Sequence, residues 1–241
     1  MWQTLSGVLD AKYVSRLEIV QGTEMPRAGD DLHIVRPRSL YERRFKRPFD
    51  IVVGTAATVA LAPVMGAIGG AIRWRLGKGV LYTQERVGKS QQPFTIYKFR
   101  TMRHDRRQRH VAVLNAQQVD RRNDHKADDD PRHTGLGRLL RRISLDELPQ
   151  LINVLRGEMS LVGPRPEVID VARERGYLDH SRHQVKPGMT GPYQISKLRE
   201  NGDLRDGLDM DTEYVNNLTF RNDMRYLVGT VRMIFERGTG S

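Results

Sequence analysis

The 241-residue sequence contains no cysteine, which excludes disulfide bonds and metal sites built on thiolates. Its amino terminus also lacks the basic start and compact apolar core of a secretory signal, so we expect the functional residues to face the cytoplasm. Aromatic residues are scarce, at 7% of the chain, and the highly charged segment 103–130 contains none. Because single-stranded nucleic acids stack on aromatic rings, we interpret this segment as a solvated insertion rather than a nucleic-acid-binding arm.

Acidic residues are in the minority, with 29 Asp and Glu against 40 Lys and Arg. The formal net charge is therefore +11, and the sequence pI is about 10.2. Such an excess of positive charge favours an anionic partner, which composition leaves open among nucleic acid, acidic lipid headgroups and a phosphorylated substrate. The length is sufficient for one sizeable domain with appendages.

Charged residues are absent from Ile51 to Ile72. At ~1.5 Å per helical residue, this run is long enough to cross a hydrocarbon core of roughly 30 Å. Both flanks are basic, although positive charge belongs on the cytoplasmic side of a membrane segment. Pro63 lies near the middle of the run, where it removes a helix hydrogen bond. We therefore predict a re-entrant membrane helix over residues 41–78 that breaks at Pro63 and returns to the same face. The alternatives are a straight span with a kink and a buried core helix.

The remaining patterns predict an α/β fold that is mainly helical. Residues 1–40 are weakly patterned and read as a variable extension, whereas 79–235 form the predicted cytoplasmic domain and 236–241 a frayed tail. Within that domain, 79–102 has the composition of two short strands around a turn. Leucines at helical spacing predict a helix with one apolar face over 135–156. A short helix should follow and end at Gly176, and one or two amphipathic helices should fill the tail from Asp211 to Phe235.

Two adjacent acids, Asp146 and Glu147, stand at the start of the apolar run in ISLDELPQLINVL. Ser144 and Glu147 fit a capping box, and Asp146 fits an N-cap that would place Pro149 in the first turn. Either role needs no catalysis. A carboxylate at a helix N-terminus is nevertheless held ionised by the helix dipole, which suits a nucleophile or a metal ligand.

Arginines surround this acid pair along the sequence. They are well matched to phosphate because the guanidinium group is a planar fork of donors. Three of them precede the acids, and a fourth follows in a corner that two prolines restrict; they are Arg138, Arg141, Arg142 and Arg165. The cluster predicts a phosphate-handling site more strongly than any single arginine does.

With these pieces in place, the chain resembles the bacterial sugar transferase family, the monotopic polyprenyl-phosphate phosphoglycosyl transferases. The resemblance covers roughly residues 44–191 and, more loosely, the tail. Its motifs occur in the family's order: KRPFD, the apolar run with Pro63, YTQERVGKSQQPFTIYKFRTM, DPRHTGLGRLLRRISLDELPQLINVLRGEMSLVGPRP and VKPGMTG. The extension before the membrane helix is shorter than the transmembrane bundle of the larger members, so the compact, single-domain form is expected.

The resemblance implies transfer of a phosphosugar from a UDP-sugar to a polyprenyl phosphate such as undecaprenyl phosphate, with release of UMP. Asp146 matches the family's nucleophile, which forms a phosphosugar-aspartyl intermediate, and Glu147 matches the second acid of the pair. Magnesium is expected beside Asp146, where it would offset phosphate charge. The resemblance also implies basic side chains that would hold phosphate; in this chain they are Lys98, Arg100, Arg141 and Arg165. The implied location is the cytoplasmic face of a bacterial inner membrane, held there by a monotopic anchor in contact with membrane lipid.

Two departures from the family pattern are visible. The helix break usually carries Ser-Pro, whereas this chain has Ala62-Pro63, and the run after PGMTG is replaced by PYQISKLR. The sequence does not identify the sugar or the pathway, and it leaves the oligomeric state open, a homodimer included. Two alternative functions are a basic nucleic-acid-binding protein, for which no signature is found, and a non-catalytic membrane scaffold of the same fold.

Overall fold

The structure, a computed structural model, describes residues 38–102, 134–196 and 204–239. The variable extension up to residue 37 and the charged insertion 103–130 therefore lie outside the described residues. Seven helices follow one another in the described part of the chain: α1 (Lys46–Leu76), α2 (Gly135–Arg142), α3 (Gln150–Arg156), α4 (Ile169–Glu174), α5 (Pro192–Ile195), α6 (Leu204–Asn216) and α7 (Phe220–Thr239). The strands of the same part are β1 (Leu81–Val87), β2 (Pro93–Phe99), β3 (Ser160–Val162) and β4 (Gly188–Thr190). Short 3₁₀ turns occupy Lys89–Gln91, Leu145–Glu147 and Ser181–Gln184.

The apolar run forms α1, a single helix of 31 residues that follows a π-helical turn at Tyr41–Phe45. Together they are long and apolar enough to cross a membrane: the most apolar 18-residue window has a mean hydropathy of 2.0, and only 11% of it is buried. The prediction of a break at Pro63 is wrong for the backbone, since helical structure continues on both sides of this residue. Re-entry into the same membrane face stays a prediction.

One face of α1 packs against the rest of the protein from end to end. Its residues recur every three or four positions, as expected for one side of a helix, and they contact two separate hydrophobic clusters. The first half contacts the larger cluster, and the second half contacts the cluster around Phe99 and Leu140. The contacting residues are Phe49, Val53, Ala57, Leu61, Met65, Ile68, Ile72 and Leu76.

The opposite face of α1 is exposed and apolar. Val52 and Val59 are 68% and 70% exposed, and Trp74, near the end of the helix, is 84% exposed. A tryptophan at this position is typical of the boundary between hydrocarbon and water. The exposed face therefore indicates association with a membrane.

The predicted strand pair is confirmed. β1 and β2 form an antiparallel hairpin in which Leu81 lies opposite Phe99 and Val87 opposite Pro93. The connection coincides with the predicted break, and Ser90 and Gln91 both have positive φ there. A second sheet, which periodicity did not predict, pairs β3 with β4 in parallel. Its backbones approach closely at Gly163 and Gly188, where a Cβ atom on either residue would overlap the main chain of the other segment.

Residues 135–156 are helical as predicted, but in two helices, and the second begins later than the predicted start near Leu145 or Asp146. α2 ends at Arg142, Ser144 adopts the left-handed conformation with φ 58°, and α3 begins only at Gln150. Pro149 has no N–H to donate to the carbonyl of Leu145, as a continuous helix would require. That carbonyl accepts instead from the N–H of Leu148 at 3.3 Å, which closes a 3₁₀ turn.

Two further predictions concern the carboxyl-terminal part. The short helix that should end at Gly176 is present as α4, and Gly176 has φ 71°, a conformation that favours glycine. The tail contains two helices, α6 and α7, as the pattern indicated. α7 continues to Thr239, so the tail predicted to fray from residue 236 is helical for most of its length.

Candidate active site

Asp146 and Glu147 lie in the 3₁₀ turn between α2 and α3 rather than at a helix cap. Ser144 makes no side-chain capping bond, and the N-cap of α3 is Pro149, which has no side-chain donor or acceptor. Both capping predictions are therefore wrong. The two carboxylates are available for contacts with other elements, and those contacts define the site.

Glu147 is surrounded by cations from distant parts of the chain. Lys98 on β2 donates to Glu147 Oε1 at 2.7 Å, and Arg165 Nη1 lies 3.8 Å from the same oxygen. Burial lowers the pKa of Lys98, and the charge of Glu147 opposes this effect. The carboxylate of Glu147 thus holds two predicted phosphate-binding groups, Lys98 and Arg165, within one small region.

Asp146 is half-buried, and its electrostatic surroundings differ from the prediction. Burial, together with the neighbouring charge of Glu147, raises the pKa of Asp146 to about 6. The charges of Lys98 and Arg141 act in the opposite direction. The expectation that a helix dipole holds this carboxylate fully ionised is therefore wrong, because α3 begins after the acid and burial dominates. A carboxylate with a pKa near the working pH is nonetheless typical of a catalytic group.

Arg165 projects from a corner whose backbone is held at four consecutive carbonyl groups. Each carbonyl accepts a hydrogen bond from a different element: Pro164 O from Gly188 N at 2.8 Å, Arg165 O from Arg182 Nη2 at 2.6 Å, Pro166 O from Arg86 Nη1 at 3.2 Å and Glu167 O from Val87 N at 2.9 Å. Pro164 and Pro166 restrict the same backbone further. The corner therefore presents the Arg165 side chain from a rigid support.

A small cleft lies between these elements. Glu147 and the cations Arg86, Lys98 and Arg165 line it, together with Ile96, Gln150, Pro166, Gly188, Met189 and Gln194. Three cations against one carboxylate leave the lining with excess positive charge, which favours an anionic ligand. Arg86 was not predicted as a site residue, although it lies within the quoted motif YTQERVGK. Only the structure identifies Arg86, because β1 alternates between exposed and half-buried positions and the Arg86 side chain is 15% exposed.

The structure does not bring Arg100 to this cleft. Arg100 is buried and donates to the carbonyl oxygens of Leu76, Gly77 and Lys78, at 2.5, 3.2 and 2.7 Å. These groups belong to the end of α1, where unsatisfied helix carbonyls favour a cation. Arg100 therefore caps the membrane helix. Arg141 lies in the last turn of α2 and acts on Asp146 through its charge.

A magnesium ion would find few protein ligands here. Among residues 38–102, 134–196 and 204–239, no group of three or more His, Asp or Glu side chains could hold a metal. Magnesium is commonly held by one or two carboxylates together with substrate phosphates, and Asp146 with its neighbour Glu147 meets that smaller requirement. The residues present therefore fit a substrate-dependent ion.

Two carboxylates set among cations, in a protein with a long apolar helix, form a candidate site for an anionic ligand. Residues 41–237 match the bacterial sugar transferase family, and the chain belongs to that family. It is similar to an undecaprenyl-phosphate glucose phosphotransferase of Komagataeibacter xylinus (38% identity over 214 residues) and to an undecaprenyl-phosphate galactose phosphotransferase of Salmonella typhimurium (38% over 210 residues). It is also similar to an exopolysaccharide production protein of Sinorhizobium fredii (37% over 189 residues).

These relatives differ in length. The matches cover 84%, 81% and 77% of this chain, in the order given. They cover 38% and 41% of the first two relatives but 83% of the third. The chain therefore spans about two fifths of the longer relatives and most of the shorter one.

Proposed function

We propose that this protein transfers a phosphosugar from a UDP-sugar to a polyprenyl phosphate and releases UMP, as the first membrane step of a surface glycan pathway. The observation that carries the proposal is the pair Asp146–Glu147, which lies among Lys98, Arg165 and Arg141. The two named phosphotransferases act on undecaprenyl phosphate by their descriptions, which supports the choice of acceptor.

The reaction needs two displacements at one phosphorus atom. In the first, the carboxylate of Asp146 attacks the β-phosphorus of the donor, and the bond to the bridging oxygen breaks so that UMP leaves with the electron pair. In the second, a phosphate oxygen of the polyprenyl phosphate attacks the same phosphorus and releases the aspartate. The products are UMP and a polyprenyl diphosphosugar, and the enzyme is regenerated.

The neighbouring side chains supply charge and position. Lys98 and Arg165 bracket Glu147 and would bind phosphate oxygens as these become more negative in the transition state. Arg141 favours the ionised form of Asp146. Glu147 would orient these cations and assist the attack of the acceptor. Asp146 and Glu147 would hold a magnesium ion together with the substrate, and the ion would neutralise part of the diphosphate charge.

The packing of α1 supports a monotopic arrangement, and the basic residues on both flanks support the cytoplasmic face. A domain that touches the helix from Phe49 to Leu76 would have to enter the hydrocarbon if the helix crossed the bilayer at right angles. Burying its charged surface there would be costly. A helix that inserts its exposed face and leaves both basic flanks in water avoids this cost. Labels placed before Arg43 and after Lys78 should then be accessible from the same side, and accessibility from opposite sides would indicate a span.

The direct test is UMP release from a panel of UDP-sugars in the presence of undecaprenyl phosphate and magnesium. Wild-type protein should release UMP with at least one donor, and Asp146→Asn should abolish the release. The matched control is Asp170→Asn, which removes an exposed aspartate on α4 and should leave the rate unchanged. No release by folded wild-type protein would favour a non-catalytic scaffold. Full UMP release by Asp146→Asn would instead show that Asp146 is not the nucleophile.

A further inference from the structure

A buried ion pair outside the cleft contacts the main chain of the Arg165 corner. Arg182 belongs to the 3₁₀ turn Ser181–Gln184, and Asp211 belongs to α6; their side chains are 5% and 2% exposed. Arg182 Nη2 lies 3.0 Å from Asp211 Oδ2 and donates to the carbonyl oxygen of Arg165 at 2.6 Å. The guanidinium group also stacks over the ring of Tyr177 at 5.8 Å.

Stability alone does not explain why this ion pair is buried. Burial raises the pKa of Asp211 to about 6, although the charge of Arg182 opposes the effect. The second oxygen of Asp211, Oδ1, is also buried and has no hydrogen-bond partner in the described part of the chain. Buried ion pairs often contribute little net stability, because desolvation offsets their attraction. A pair that is costly to bury and whose cation holds one particular carbonyl points to a positional role.

We propose that Arg182, fixed by Asp211, is a positioning residue that holds the backbone of Arg165 so that its guanidinium group faces Glu147 and the cleft. Arg182 is not among the residues that line the cleft, so it acts through Arg165 rather than on substrate. Arg86 differs, since it both lines the cleft and holds the next carbonyl, that of Pro166. The proposal rests on the proposed function, because it assumes that Arg165 binds phosphate.

The test is a double-mutant cycle between the Arg182–Asp211 ion pair and Arg165. Arg182→Met combined with Asp211→Asn removes both charges together, which avoids leaving one buried charge unpaired. In the wild-type background this pair of substitutions should lower kcat/KM for the donor by roughly tenfold, because displacement of a binding group by about 1 Å can cost on the order of 100-fold. In an Arg165→Ala background the same substitutions should cost less than about twofold, since the group they position is already gone. Melting temperatures of all variants serve as the control for folding.

A second measurement does not depend on activity. Amide hydrogen exchange should quicken at Gly188 and Val87, whose N–H groups bond to the carbonyls of Pro164 and Glu167 on either side of Arg165. Exchange at the amide of Arg100, which bonds to Val80 O at the far end of the hairpin, should be unchanged.

The outcomes separate the two proposals. Equal losses of kcat/KM in both backgrounds would mean that the ion pair supports the fold generally, and the positioning role would be overturned. If Arg165→Ala leaves kcat/KM unchanged, Arg165 does not bind phosphate in the proposed function, and the positioning role of Arg182 is overturned with it. If no donor yields UMP, the proposed function fails, and hydrogen exchange then tests the positioning role separately. Faster exchange at Gly188 and Val87 in the Arg182→Met, Asp211→Asn variant would support that role, and unchanged exchange would refute it.

Discussion

The ionisation of Asp146 offers the sharpest prediction from the site geometry. Its pKa is raised from the ordinary 3.8 to about 6, with burial as the largest cause and the charge of Glu147 as the next. Only the ionised carboxylate can attack phosphorus, so activity should fall as the pH falls through this value. With a pKa of about 6, roughly half of Asp146 is ionised at pH 6 and about one tenth at pH 5.

Glu147→Gln removes the neighbouring negative charge while retaining the size of the side chain. The pKa of Asp146 should then decrease, and the acid limb of the pH profile should move to lower pH by about one unit, which is the usual scale for loss of a nearby charge. Lys98→Met should move the limb in the opposite direction, because the charge of Lys98 lowers the pKa of Asp146. Both variants lose the Lys98–Glu147 ion pair. Opposite shifts of the acid limb in the two variants would therefore result from the charge that each one removes and not from the shared loss of this contact.

The assay is the pH dependence of kcat/KM for the UDP-sugar, measured as UMP release from about pH 5 to pH 8. This parameter reports groups of the free enzyme and free donor. The donor diphosphate has no ionisation in this range, whereas the phosphate monoester of the acceptor titrates near pH 6 and would obscure kcat. Glu147→Gln is expected to lower the plateau as well, but the position of the limb does not depend on its height. A limb that stays in place in both variants, or moves in the same direction in both, would refute the assignment of the titration to Asp146.

Three further predictions concern stability and the metal. Asp223→Ala should destabilise the protein by about 3–5 kcal/mol in denaturant unfolding, because it leaves Lys46 buried without the carboxylate that it contacts at 2.6 Å; a loss below about 1 kcal/mol would contradict this account. Gly137→Ala should cost about 1–3 kcal/mol, since its Cβ would overlap the carbonyl of Thr101, whereas Gly135→Ala on the same helix meets open space and should be tolerated. Equal effects of the two alanines on the melting temperature would count against the packing of α2. Chelation of divalent cations should stop UMP release, and added Mg²⁺ should restore it; full activity in excess EDTA would remove magnesium from the proposal.

Local patterns predicted several elements correctly. The hairpin of β1 and β2 was expected from β-favouring residues on both sides of a break, and α1 was expected from an uncharged run. Such features depend on neighbours within a few positions, so they can be read from a single sequence. The three-residue strands β3 and β4 were not found. They are too short for a period to be visible, and their pairing joins segments almost 30 residues apart, as in Ser160 with Gly188.

Most charged residues of the candidate site could be predicted from the sequence, but the local structure around Asp146 and Glu147 could not. The sequence identified both acids as candidates, together with Lys98, Arg141 and Arg165. The spacing alone also fitted a helix cap, because Pro149 suits the first turn of a helix and the leucines continue at helical spacing beyond it. The 3₁₀ turn becomes visible only in the packing, which divides those leucines between two clusters. Leu145 and Leu148 pack with Phe99 and Leu140, whereas Leu151 belongs to the larger cluster.

The sequence by itself therefore determined the long apolar helix, the excess of positive charge, the family resemblance and the identity of the acid pair. Only the tertiary structure decided which cations meet those acids. Lys98 and Glu147 are 49 positions apart, and no local rule joins them. Arg100 matches a basic motif position as well as Lys98 does, yet it caps α1, while Arg182, which stood outside every predicted site, holds the carbonyl of Arg165. The physical reason is that the sequence shows only the type of each charged side chain. Its partner depends on which distant groups the packing brings within hydrogen-bond distance.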